Sequence, residues 1–202
     1  GFYSFYTASL SDQNSVIAIE ASPTTAKDFE KNLNLNKFNN IILKNSAISD
    51  IDNTTINFNE SKNDWESSLT HNEFDQKKVS KIRTQKIDTI IKDKKLNEYS
   101  LLIKLDIEGH ELQALEGAKN TIDKYKPIII IELSTYIFNK NDKAFERLNF
   151  FLTKFDYSIY NTKKILTSLE DIVIFIKSLD SEHETIGNYY LINNKNIHNF
   201  IQ

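Results

Sequence analysis

Phe2, Tyr3, Phe5, Tyr6 and Leu10 recur at helical spacing and are followed by the polar punctuation Ser11-Asp12-Gln13-Asn14. Val16 to Ile19 is then an unbroken apolar run closing on Glu20, the length of a buried strand. Ser22-Pro23 supplies the cap and first turn of a helix that reaches about Leu35. Ile41-Ile42-Leu43 opens the next strand, which runs to about Ile48. Strand, helix and strand joined by short connections predict a parallel sheet covered by helices.

From Asp50 to Gln85 the chain is polar, and the alternations Thr54-Ile56-Phe58 and Val79-Ile82-Thr84 predict two half-exposed strands in an antiparallel excursion. Ile87 to Ile91 reads as a short helix or turn. Leu101 to Asp106 is a strand ending in an acid, after which Gly109 releases the chain into a helix carrying Leu112, Leu115, Ala118 and Ile122. Pro127 ends that helix. Ile128 to Ile131 is wholly apolar and closes on Glu132, as expected at the centre of a sheet covered on both faces. A helix near Lys143 to Lys154 and a strand near Tyr157 to Tyr160 form a further unit. Ser168 reads as the cap of a helix from Leu169 to Leu179, and Tyr189 to Ile192 as the final strand.

The chain has 202 residues, which fits one domain at the usual scale of about 100 to 200 residues each. Gly and Pro together number 6, and 40% of residues are hydrophobic, an ordinary globular composition. A formal charge of -3 argues against a dedicated nucleic-acid binder. The absence of cysteine excludes disulfides, a thiol nucleophile and Cys-ligated metal sites. No apolar run approaches the roughly 20 residues of a membrane span. A soluble, cytoplasmic protein without a membrane partner is therefore expected. The chain starts at Gly1 and contains no Met, so a segment upstream is expected to be missing. Lys outnumbers Arg 23 to 2, so the eight basic residues between Lys77 and Lys95 read as a solvated surface.

Ligands of open α/β sheets bind at the carboxyl ends of the strands, and three inferred strand ends carry acids: Glu20, Asp106 and Glu132. Glu20 lies nineteen residues after Gly1, close to the roughly 20-residue interval between a glycine turn and the acid that holds a ribose diol. Helix capping is the plainer role for it. Asp106-Ile107-Glu108-Gly109-His110-Glu111 packs three carboxylates and an imidazole into one strand-to-helix turn. Asp106 and Glu108 are read as functional, Glu111 as an acid complementing a helix start, and His110 as either a proton acceptor or a backbone partner. His110-Glu111 forms no zinc-protease site, because Ala114 stands where the second His belongs. Neither a GxxxxGK[ST] loop nor a GxSxG elbow is present.

The run Ile103 to Glu111, followed by Leu115-Glu116-Gly117-Ala118 and Pro127 to Glu132, closely resembles the signature of FkbM-type S-adenosylmethionine-dependent methyltransferases. Val16 to Pro23, Asn45 to Asp50 and Lys86 to Ile91 are similar to further elements of that family. The resemblance implies an α/β fold, a Rossmann-like class I methyltransferase three-layer sandwich, with a mostly parallel sheet whose last strand is antiparallel. It implies S-adenosyl-L-methionine as cofactor, with Glu20 on its ribose, Ser46 and Ala47 near its adenine, and Asp106 between cofactor and acceptor. The family's first strand and glycine loop are then missing apart from Gly1, which leaves an open slot beside the Val16 and Leu101 strands.

Methyl transfer to a hydroxyl needs alignment and a base, for which Asp106, His110 and Glu132 are candidates. No metal is assigned, a divalent ion at Asp106 and Glu108 being the lesser alternative. The acceptor is expected to be a hydroxyl on a sugar, glycan or secondary metabolite, bound by Asp50 to Gln85 and the C-terminal third. A nucleotide-cofactor oxidoreductase and a truncated, non-catalytic binding module are the rival readings.

Overall fold

A computed structural model describes residues 1–61, 76–98, 100–139, 143–179 and 185–201. They divide into two compact units, Gly1–Gln85 and Lys86–Gln202. No helix among the described residues is long and apolar enough to cross a membrane.

The first unit opens with helix α1 (Phe2–Leu10), strand β1 (Val16–Glu20), helix α2 (Pro23–Asn36) and strand β2 (Ile41–Asn45). The expected signals act here as written. Ser22 Oγ accepts from Thr25 N–H, Pro23 occupies the first turn, and Lys37 closes the helix in the left-handed region at φ 56°. β1 and β2 pair in parallel, Val16 opposite Ile41 through Glu20 opposite Asn45. Ala8, Ala18, Phe29 and Ile41 form the core beneath them, with Phe5, Leu33 and Phe38 packed alongside. Gly1 belongs to this packing, because a Cβ there would stand 2.7 Å from the Phe29 ring.

The strand expected from Ile41 to Ile48 is broken at Ser46. Asn45 Nδ2 donates to the carbonyls of Glu20 and Ala21, and Ser46 N–H donates to Glu20 O. The chain thereby leaves β1 and continues as β3 (Ala47–Ile48), which joins β4 (Thr55–Ser61) and β5 (Gln76–Gln85) in the order β3-β5-β4. β5 runs parallel to β3 and antiparallel to β4, the excursion that the alternation predicted. Residues 62–75 of the expected acceptor-binding stretch lie outside the described residues, as do the side chains of Lys77 and Lys78. Lys81, Arg83, Lys92, Lys94 and Lys95 are exposed, in keeping with a solvated surface.

The second unit runs α3 (Ile87–Ile91), β6 (Leu102–Leu105), α4 (Glu111–Glu116), α5 (Lys119–Tyr125), β7 (Ile128–Ser134), α6 (Thr135–Asn139) and α7 (Ala144–Phe155). It continues through β8 (Tyr157–Tyr160), β9 (Leu166–Thr167), α8 (Leu169–Lys177), β10 (Thr185–Asn193) and α9 (Ile197–Ile201), the last a helix the pattern did not predict. Five strands order as β6-β7-β10-β8-β9. β6 and β7 are parallel, and β10 is antiparallel to both of its neighbours. The last strand is thus antiparallel as expected. Because it separates β7 from β8, most pairings in this sheet are antiparallel although β6, β7 and β8 run the same way. β1 and β6 are outer strands of their sheets among the described residues.

Three other expectations need correction. The helix after Gly109 is two helices, because Asp88 Oδ1 and Oδ2 accept from Thr121 and Asn120 N–H and cap α5 as a separate start. β7 is not covered equally on both faces: Ile129, Ile131 and Leu133 are fully buried, whereas Ile128, Ile130 and Glu132 are partly open. Glu132 also stands inside β7 rather than at its end, since pairing with β10 extends the strand to Ser134.

Candidate active site

In the first unit Glu20 ends β1, and its Oε1 accepts from Ser22 N–H at 2.8 Å. Ser46 N–H meets the Glu20 carbonyl at 3.1 Å, so the residue after β2 is held beside the end of β1. Ser46 Oγ donates to Gln85 Oε1 at 3.1 Å. Gln85 was not singled out from the sequence; its only signal was its place at the end of an alternating strand. Ala47 is 2% exposed, its methyl packed with Phe58 and Ile82, so it offers a ligand no open side chain. Gly1 sits at the start of α1, where its carbonyl accepts from Phe5 N–H.

In the second unit the turn after β6 is shaped by two successive residues of positive φ, Glu108 at 54° and Gly109 at 96°. Gly109 adopts that region without a Cβ clash, but Glu108 does so at a cost. Glu111, 1% exposed, offsets it from below: its Oε1 accepts from Ile107 N–H at 2.9 Å, and Gly109 N–H also serves the carboxyl. Burial raises the Glu111 pKa, against the lowering by those N–H groups. The acid read as a helix-start residue is therefore the internal brace of the turn.

That turn delivers Asp106 and Glu108 toward Glu132 of β7, so that one carboxylate oxygen from each lies within 4.8 Å of the others. Lys104 Nζ lies 2.7 Å from Asp106 Oδ2. Burial pushes Glu132 up, and the Asp106 and Glu108 charges push it further, to about 8. Burial alone would also raise Asp106, but the hydrogen bond from Glu132 and the Lys104 ammonium outweigh it and hold Asp106 below the usual carboxylate range. The two shifts run in opposite directions, so Asp106 is the stronger acid of the pair and Glu132 the weaker. Three oxygens so close also suit a hard cation. The Lys104 ammonium in contact with Asp106 already balances part of their charge.

The structure thus brings together two of the three base candidates. His110 caps α4 without a side-chain capping bond and lies outside the carboxylate cluster. Lys104 escaped notice in the sequence because lysine is abundant, although its position two residues before Asp106 puts both on one face of the strand.

Comparison with known proteins agrees with the signature. The methyltransferase FkbM domain matches residues 1–159. Among solved structures, the methyltransferase FkbM from Methylobacillus flagellatus KT is similar to the chain, at 21% identity and a TM-score of 0.49. The similarity covers 88% of this chain and 36% of that one, so the chain spans about a third of that protein's length. No curated protein matches.

Proposed function

The chain belongs to the FkbM methyltransferase family, and from that premise we propose that it transfers a methyl group from S-adenosyl-L-methionine to a hydroxyl of a sugar, glycan or secondary metabolite. We read the whole chain as one Rossmann-like class I domain, working in the cytoplasm on a small-molecule or glycan acceptor. The observation that carries the reading is the cluster of Asp106, Glu108 and Glu132, one carboxylate oxygen of each within 4.8 Å of the others, with the Lys104 ammonium 2.7 Å from Asp106.

The donor set of the first unit fits the cofactor's polar parts. A carboxylate at the end of β1 can accept from both hydroxyls of a ribose, and the Ser46 hydroxyl and Gln85 amide offer groups for a heterocycle edge. Glu20, Ser46 and Gln85 would hold it, with Gly1 and Ala47 contributing through the backbone. Bound there, the cofactor supplies a methyl carbon made electrophilic by its sulfonium.

The chain's own residues then handle the acceptor. The acceptor oxygen must approach the methyl carbon in line, in a site from which water is excluded. Asp106 would hold the acceptor hydroxyl and take the proton released as the methyl group passes from sulfur to oxygen, the sulfonium leaving as a neutral thioether. Glu132, the weaker acid, stands beside Asp106, which is the better placed of the two to act as the accepting group. His110, at the start of α4, is the further candidate for a proton acceptor.

Calorimetric titration of the protein with S-adenosyl-L-methionine, and separately with NAD, tests the reading. Binding of the first and not the second is expected. Binding of NAD alone would replace the methyltransferase with the oxidoreductase, and binding of neither would leave a module without this activity.

A further inference from the structure

Lys104 is a residue that strand packing does not ask for. It stands in β6 with its side chain only 14% exposed, where a β-branched apolar residue would pack without desolvating a charge. A buried ammonium is tolerated when oxygens surround it. Two hold this one: Asp106 Oδ2 at 2.7 Å and Asn188 Oδ1 at 3.3 Å.

The sheet register explains why those two meet. Leu105 faces Ile131, so Asp106, the next residue, comes level with Glu132. Glu132 in turn faces Asn188 on β10. Asp106, just past the end of β6, is thereby placed in line with the Glu132–Asn188 pair of β7 and β10. Lys104 lies one row below on the same face, opposite Ile130, and its ammonium reaches both ends of that row.

We propose that Lys104 is a positioning residue, anchored by Asn188, which fixes the Asp106 carboxylate in the row beside Glu132 and presents it to the acceptor. The inference rests on the reading of Asp106 as the base. It adds β10 to the site: the antiparallel strand inserted beside β7 carries the anchor, so the lysine is held from two strands rather than one. With Asn188 removed, the ammonium loses the anchor on β10 and Asp106 gains rotational freedom. With Asp106 made neutral, the ammonium loses its charged partner.

The test is nuclear magnetic resonance of the full chain labelled with ¹⁵N-lysine, read at the side-chain ammonium. Lys104 Nζ is assigned by the signal missing from Lys104→Met, or from Lys104→Gln should the first variant fold poorly. The expected result is a signal that exchanges with water more slowly than those of the exposed lysines, shifts in Asn188→Ala and is lost in Asp106→Asn. A Lys104 signal that exchanges like exposed lysines, or that is unchanged in both variants, overturns the proposal. The measurement needs neither cofactor nor acceptor. A chain that shows the coupling but binds no S-adenosyl-L-methionine therefore sinks the functional reading alone, and one that binds it without the coupling sinks this inference alone.

Discussion

The end of β1 and the end of β6 are built from similar sequence, an apolar strand closing on an acid before a helix, yet they are electrically unlike. At Glu20 the carboxylate meets a backbone N–H, and its surroundings are a serine, an asparagine and a glutamine in hydrogen bonds. At Asp106 the carboxylate meets an ammonium and a second carboxyl whose pKa is pushed up, before a turn held in the left-handed region. A strand end whose acid is held by a backbone hydrogen bond, with amide and hydroxyl groups beside it, suits recognition of a polar ligand. A strand end where charges and a proton are shared can move a proton. The difference teaches that acids at equivalent positions of a sheet are given their roles by what neighbouring strands place beside them.

The sharpest way to break this contrast is Asp106→Asn. Loss of a general base lowers turnover by about 10²–10⁴-fold. S-adenosyl-L-homocysteine formation over a panel of hydroxylated acceptors measures it, while calorimetric affinity for the cofactor should hold. Glu20→Ala should do the reverse, weakening cofactor binding by about 1.5–3 kcal/mol, the scale of a hydrogen bond to a charged group. If the two variants exchange phenotypes, the assignment of recognition to one end and proton transfer to the other is wrong.

Glu111→Leu removes the brace of the turn and leaves Ile107 N–H buried without its acceptor. About 1–3 kcal/mol should be lost in urea unfolding. An unchanged midpoint would mean that the turn holds itself. Asp88→Ala should cost about 1 kcal/mol by uncapping α5, with no change in cofactor affinity.

The smallest effect is in pH dependence. Glu132 rises from 4.5 to about 8, so between those values the folded chain binds a proton that the unfolded chain has released. Its contribution to stability is fully present below pH 4.5 and is lost as the pH rises through 8, reduced in size because the group is partly solvated. Urea midpoints should fall more steeply with pH in the wild-type protein than in Glu132→Gln. Equal slopes would show that the pair shares no proton.

Much of the fold was legible because its signals are local. Ser22-Pro23 started a helix, Ser168 capped another through Asp171 N–H, and the alternations in the middle of the chain became an antiparallel pair. What failed depended on partners distant in sequence. The split between α4 and α5 is imposed by Asp88, some thirty residues upstream, and the break at Ser46 by the end of β1. In the candidate site, Asp106 and Glu132 could be named because an acid closing an apolar run is informative, and Glu108 because it shares the strand-to-helix turn with Asp106. Lys104, Asn188 and Gln85 could not, since a lysine or an amide in a polar chain carries no mark of what it will face.

The sequence by itself determined the family, the order of most elements and the acids that matter, because periodicity, capping residues and a short signature depend on neighbours along the chain. Only the tertiary structure decided which acid is made stronger, which weaker and which braces the turn. Those properties follow from charge, burial and hydrogen bonds between adjacent strands, and strand register sets distances that spacing along the chain does not contain.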